Sequence, residues 1–148
     1  MDIHLPRYER IWLTTGIATL VIFLVLFGAM GVGMNLNPPN HMQTIDPLNV
    51  AATPPFDNPG VREIAPNEYE IAMVARVFLF QPDTIELPVG AKVRFLLTTP
   101  DVVHGMHISG TNVNMMAIPG HITQFEYTFK KPGDYLIVCN EYCGVGHQ

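Results

Sequence analysis

The chain is 148 residues long, 48% hydrophobic and 14% charged, with a formal net charge of −5 at pH 7. That length allows one ordinary domain plus an appendage. The acidic balance excludes a nucleic-acid binder that works by charge.

Residues 1–10 form a short polar arm that contains Arg7 and Arg10. From Ile11 to Met34 no charged residue occurs. As a helix this run would be about 36 Å long, enough to cross a hydrocarbon core of about 30 Å with some tilt. A cleaved signal peptide is the competing reading. Its apolar core is normally shorter, and no A-x-A site follows here, so a retained transmembrane helix over 11–34 is expected. No Lys or Arg follows the run until Arg62. The positive-inside rule then puts the N-terminus in the cytoplasm and the rest of the chain outside. Gly28, Gly31 and Gly33 would permit close helix packing, although small residues are ordinary in such helices.

Residues 35–67 change character, with Pro38, Pro39, Pro47, Pro54, Pro55, Pro59 and Pro66 among Asn, Thr and Asp. Proline lacks an amide hydrogen, so this stretch is expected to hold neither a helix nor an interior strand. It reads as a linker lying along the domain or along a neighbouring subunit.

From residue 68 to 148 the signals are β. Tyr69–Phe80, Thr84–Leu87, Lys92–Thr98, Val113–Ile118 and Ile122–Lys130 are predicted strands. In the last, Thr123, Phe125, Tyr127 and Phe129 alternate with polar residues. Lys131-Pro132-Gly133-Asp134 suits a type II turn, and Asp134–Val138 leads as a strand into Cys139. Short strands at this spacing imply an antiparallel sandwich or barrel.

The chemistry gathers at the C-terminal end, CNEYCGVGHQ, which spaces Cys139, Cys143 and His147 four residues apart. Two thiolates and an imidazole suit copper, zinc or iron. His104 is the best-placed upstream partner. A Cys139–Cys143 disulfide is an alternative in an exported domain, but it would close a small loop and leave His147 unexplained. Structural zinc on Cys139, Cys143, His147 and His104 is another, although zinc ligands usually come as two close pairs. One upstream histidine and a cysteine loop between the last strands is the plan of a mononuclear blue-copper site. The second cysteine allows both thiolates to bridge two copper ions.

The stretch from Phe78 to His147 resembles the copper domain of subunit II of haem-copper cytochrome c oxidases, through PDVVHGMHISGTNVNMMAIPG, YTFKKPGDY and CNEYCGVGHQ. A single N-terminal helix is similar to the shorter B-type enzymes. The resemblance implies a mainly β, cupredoxin-like Greek-key sandwich or barrel behind one membrane helix, in a prokaryotic plasma membrane. It further implies a dinuclear copper centre of the CuA type. His104 and His147 would each bind one copper, Cys139 and Cys143 would bridge both, and Glu141 would offer its backbone carbonyl as a weak ligand. The family has a methionine three residues after the last histidine. Here the sequence stops at Gln148, and a truncated record is expected; Met115 and Met116 have no geometric reason to substitute.

Asp101 is placed to orient His104 as a hydrogen-bond acceptor, or is an ordinary turn residue. His107 matches a family position, with a role behind the ligands or at the surface. It should diverge from His104 if the segment is extended. His4, His41 and His121 are expected at the surface. The implied function is to accept electrons from cytochrome c and relay them to haem in subunit I, where oxygen is reduced to water. The rivals are a copper-free structural subunit II of a quinol oxidase, a membrane-tethered copper-delivery protein, and a relative of nitrous oxide reductase, for whose second cluster this chain has no ligands.

Overall fold

A computed structural model describes residues 6–33 and 40–147, with residues 40–42 described by their backbone alone. His4, the side chain of His41, Met34 at the end of the expected helix, and residues 35–39 of the proline-bearing stretch lie outside the described residues. The chain divides into two compact units, Met1–Asn37 and Pro38–Gln148.

Among the described residues the first unit holds one helix, α1 (Arg7–Gly33), of 27 residues. It is long and apolar enough to cross a membrane, and none of it is buried within the protein. Two of its threonines bond within the helix: the Thr14 hydroxyl donates to the Arg10 carbonyl at 2.8 Å, and Thr19 to the Thr15 carbonyl at 2.8 Å. Tyr8 and Trp12 sit beside Arg7 and Arg10 at the N-terminal end. Amphipathic rings and arginines at one end of an apolar helix suit the level of lipid headgroups.

The second unit is a two-sheet sandwich. Its strands are β1 (Asn40–Thr44), β2 (Gly60–Ala65), β3 (Glu68–Arg76), β4 (Leu79–Gln81), β5 (Lys92–Thr98), β6 (His104–Ile108), β7 (Asn114–Ala117), β8 (His121–Thr128) and β9 (Ile137–Val138). One sheet runs β1-β8-β5-β3-β2, with β4 also on β3, and the other runs β7-β6-β9. This non-sequential order is the crossover expected of a cupredoxin-like Greek-key sandwich. The pairing is not wholly antiparallel as expected, because β3 and β5 are parallel.

The main core lies between the sheets. Ile71, Met73 and Ala75 from β3, Val93, Phe95 and Leu97 from β5, and Phe125 from β8 face Met106, Ile108, Met115 and Ala117 of the smaller sheet. A second cluster covers the other face of the large sheet and joins Ala72, Val74, Leu96 and Ile122 to Ile45, Val50 and Phe56. With both faces covered, the middle of β3 reads as the unbroken apolar run 71–75 instead of alternating.

That second cluster corrects the linker expectation. The described part of the proline-bearing stretch belongs to the β-unit, which begins near Pro38 and not at residue 68. It supplies β1 and β2, both edges of the large sheet, where one side of the backbone needs no partner. Between them a 3₁₀ turn, Pro47–Ala52, starts at Asp46, whose carboxylate accepts the Leu48 amide at 3.0 Å. Prolines barred interior strands, as expected, but did not prevent Val50 and Phe56 from being buried.

Three further expectations shift. The run 69–80 is two strands, because the chain reverses at Val77-Phe78 and β4 folds back on β3. Residues 84–87 form no ladder, and only Ile137–Val138 of the last predicted strand pairs. Gly133, at φ 146°, is nearer extended than the roughly +80° that a type II turn needs.

Candidate metal centre

β6 opens on His104 and β9 runs out just before Cys139, and these neighbouring strands bring the upstream histidine to the C-terminal loop. His104, Cys139 and Cys143 have donor atoms that all lie within 4.8 Å of one another. The sulfurs are 3.9 Å apart and both thiols are free, so the disulfide reading does not hold. His147 joins through Nδ1, which is 3.3 Å from the Cys143 sulfur. Its nitrogen is not among the three donors that are mutually close. The Glu141 carbonyl lies 3.2 Å from the Cys139 sulfur, while the Glu141 side chain is turned to solvent.

Asp101 organises the upstream half. Its Oδ1 is 2.8 Å from His104 Nε2, and it also accepts from the Thr99 hydroxyl at 2.8 Å and the Val102 amide at 2.6 Å. Its Oδ2 takes the Val77 amide at 2.9 Å, which ties the β3–β4 reversal to the same carboxylate. Burial pushes this carboxyl upward, but the hydrogen bonds from His104, Val77, Val102 and Thr99 outweigh it and hold the group at about 2, against 3.8 for a free side chain. With Nε2–H donated to the carboxylate, His104 Nδ1 keeps its lone pair for a metal. Burial, together with neighbouring Cys139, pushes the Cys143 thiol up.

His107 diverges from His104. Its Nδ1 meets the Val113 carbonyl at 3.2 Å, and it touches neither cysteine. Met115 is sealed in the main core and Met116 faces solvent. His121 is half-buried instead of on the surface, with Nδ1 lacking a hydrogen-bond partner.

Close approach explains three glycines. A Cβ on Gly105 would fall against Asn140 Oδ1 and 3.1 Å from the Glu141 amide nitrogen, so the C-terminal loop rests directly on β6 there. The Phe78 ring lies over Gly144 and Gly146, where a Cβ would meet it at 3.3 and 2.7 Å. Phe78, His104, both cysteines and His147 line one cleft of about 320 Å³. Sequence reasoning passed over Gly105, Asn140 and Phe78. The glycine directly after His104 was the available signal, but what crosses it is 35 residues downstream.

Two thiols, an imidazole in the same 4.8 Å cluster, a second imidazole at van der Waals range and a carbonyl make a donor set that fits a soft or borderline metal. Residues 64–148 match the family described as cytochrome c oxidase subunit II, periplasmic domain. A cytochrome c oxidase subunit 2 of Thermus thermophilus is 39% identical over 145 residues, covering 95% of this chain and 86% of that protein. A second from the same species is 43% identical over 113 residues, covering 75% of this chain and 84% of that one. Among solved structures, a chain in the cryo-EM structure of a heme-copper terminal oxidase dimer matches with a TM-score of 0.77 at 34% identity. That match covers 95% of this chain and 93% of that one.

Proposed function

The chain belongs to the cytochrome c oxidase subunit II family, and from that premise we propose that it is the electron-accepting, non-catalytic subunit of a haem-copper oxidase, with a dinuclear copper centre. His104, His147, Cys139 and Cys143 would hold the copper, and the Glu141 carbonyl would be a further, weaker donor. When bound, such a pair supplies a one-electron site whose added charge is shared over both metals and both sulfurs. The observation that carries this reading is the convergence of His104, Cys139 and Cys143 within 4.8 Å in a member of this family. It also weighs against a copper-free structural role.

The chain's own residues do the positioning. The two free sulfurs are held 3.9 Å apart on one side of the cleft that His104 and His147 also line. Asp101 fixes the ring of His104 from the far side. Phe78 lies against Gly144 and Gly146 of the same loop. Ligands held in place before and after reduction lower the reorganisation that slows electron transfer. The electron arrives from a cytochrome c and passes to haem in subunit I, where oxygen is reduced to water. The helix tethers the site at the bilayer surface, with Arg7 and Arg10 on the cytoplasmic side of a prokaryotic plasma membrane and the β-unit outside.

Copper titration of the purified, reduced protein tests the proposal. Two ions per chain and a paramagnetic signal shared equally over two copper nuclei are expected. One ion per chain, or a signal confined to one nucleus, would refute it. Slow loss of copper to a chelator is also expected, because a delivery protein would release it readily.

A further inference from the structure

We propose that Asn140, bridged to Asn114 across Gly105, is the positioning device that holds the cysteine loop in its metal-ready shape. The antiparallel ladder between β6 and β9 ends at His107 opposite Val138. If its register continued, Asn140 would lie opposite Gly105. The backbone does continue close to β6, because a Cβ on Gly105 would come within 3.1 Å of the Glu141 nitrogen. What replaces the lost ladder is a side chain. Asn140 lays its amide over Gly105 and donates through Nδ2 to Asn114 Oδ1 at 3.1 Å. Asn114 begins β7, the strand on the other flank of β6. The bridge thus joins β7 to the loop that follows β9, over the middle strand, and only a residue without Cβ leaves room for it.

The placement matters because Asn140 stands between Cys139 and the Glu141 carbonyl, in a loop with no strand pairing after Val138. Fixing that one side chain fixes the direction in which the backbone leaves Cys139, and hence the spacing of the sulfurs. His104 immediately precedes Gly105, so one dipeptide of β6 presents both the upstream ligand and the seat of the downstream loop. Both asparagines are exposed, which makes their bond a minor contributor to global stability but an effective restraint on local opening.

The test uses the full chain in detergent, altered at Asn114, which is not a ligand. Asn114→Leu removes the acceptor at similar volume, Asn114→Ala is a second acceptor-free variant, and Asn114→Asp keeps an acceptor. In metal-free protein, amide hydrogen exchange at Glu141–Cys143 should quicken about threefold to tenfold in the acceptor-free variants, the range one neutral hydrogen bond is worth. It should stay near wild type in Asn114→Asp, with the unfolding midpoints unchanged. The copper arm rests on the proposed function: release to a chelator should quicken by a similar factor, with an altered thiolate-to-copper absorption band. Exchange in both acceptor-free variants equal to wild type, or an aspartate variant that behaves like them, would overturn the proposal. If the wild-type protein took up no copper, the functional reading would fall while the exchange arm still decided the bridge.

Discussion

Replacing Asp101 with Asn tests whether one carboxylate really holds four groups, three of them in residues 99–104 and the fourth, the Val77 amide, in the β3–β4 reversal. The substitution keeps the shape but turns one acceptor oxygen into a donor. That amide must then face a donor, either the Val77 amide now 2.9 Å from Oδ2 or the group of donors around Oδ1. The wild-type carboxyl sits at about 2 instead of 3.8, but Asp101 is an exposed residue and solvent screens its interactions. At 1.36 kcal/mol per unit that depression has an upper bound of about 2 kcal/mol in favour of the folded, ionised form, which screening reduces to about 1 kcal/mol. Because the folded value is the lower one, this stabilisation is fully present above 3.8 and is lost as pH falls through about 2. Urea unfolding of the metal-free protein should therefore show Asp101→Asn less stable by about 1 kcal/mol at pH 7, roughly a 0.5 M lower midpoint. The gap should close between pH 4 and pH 2 as the wild-type carboxyl protonates. Equal midpoints at pH 7, or a gap that persists unchanged in acid, would show that Asp101 is an ordinary turn residue.

Phe56→Ala removes a ring that is 2% exposed from the cluster on the outer face of the large sheet. A loss of about 3–5 kcal/mol in denaturant unfolding is expected, whereas a change below about 1 kcal/mol would return the stretch before β2 to the status of a linker. The raised Cys143 thiol is protonated in metal-free protein near neutral pH, so copper must displace its proton and uptake should weaken as pH falls. Proton release measured during loading at pH 7 should drop by about one per chain in Cys143→Ser; an unchanged count would show that this thiol is not a ligand.

Much of the site was legible in the sequence because metal chemistry is carried by residue type and short spacing. Cys139, Cys143 and His147 lie within nine residues, so their types and spacing marked a candidate site with no tertiary information. The alternation in β8 and the charge-free run of α1 were equally local signals. The proline-bearing stretch misled because composition reports what backbone a segment cannot form, not what its side chains pack against. Val50 and Phe56 are buried only because the large sheet offers a second apolar face. The parallel pairing of β3 with β5 and the reversal at Val77-Phe78 were likewise invisible, since periodicity shows which residues share a face but not which strand lies alongside. Gly105 makes the division plain. Its residue type was on the page from the start, but the need for it arises only when Asn140, 35 positions on, is folded across the space where a side chain would stand.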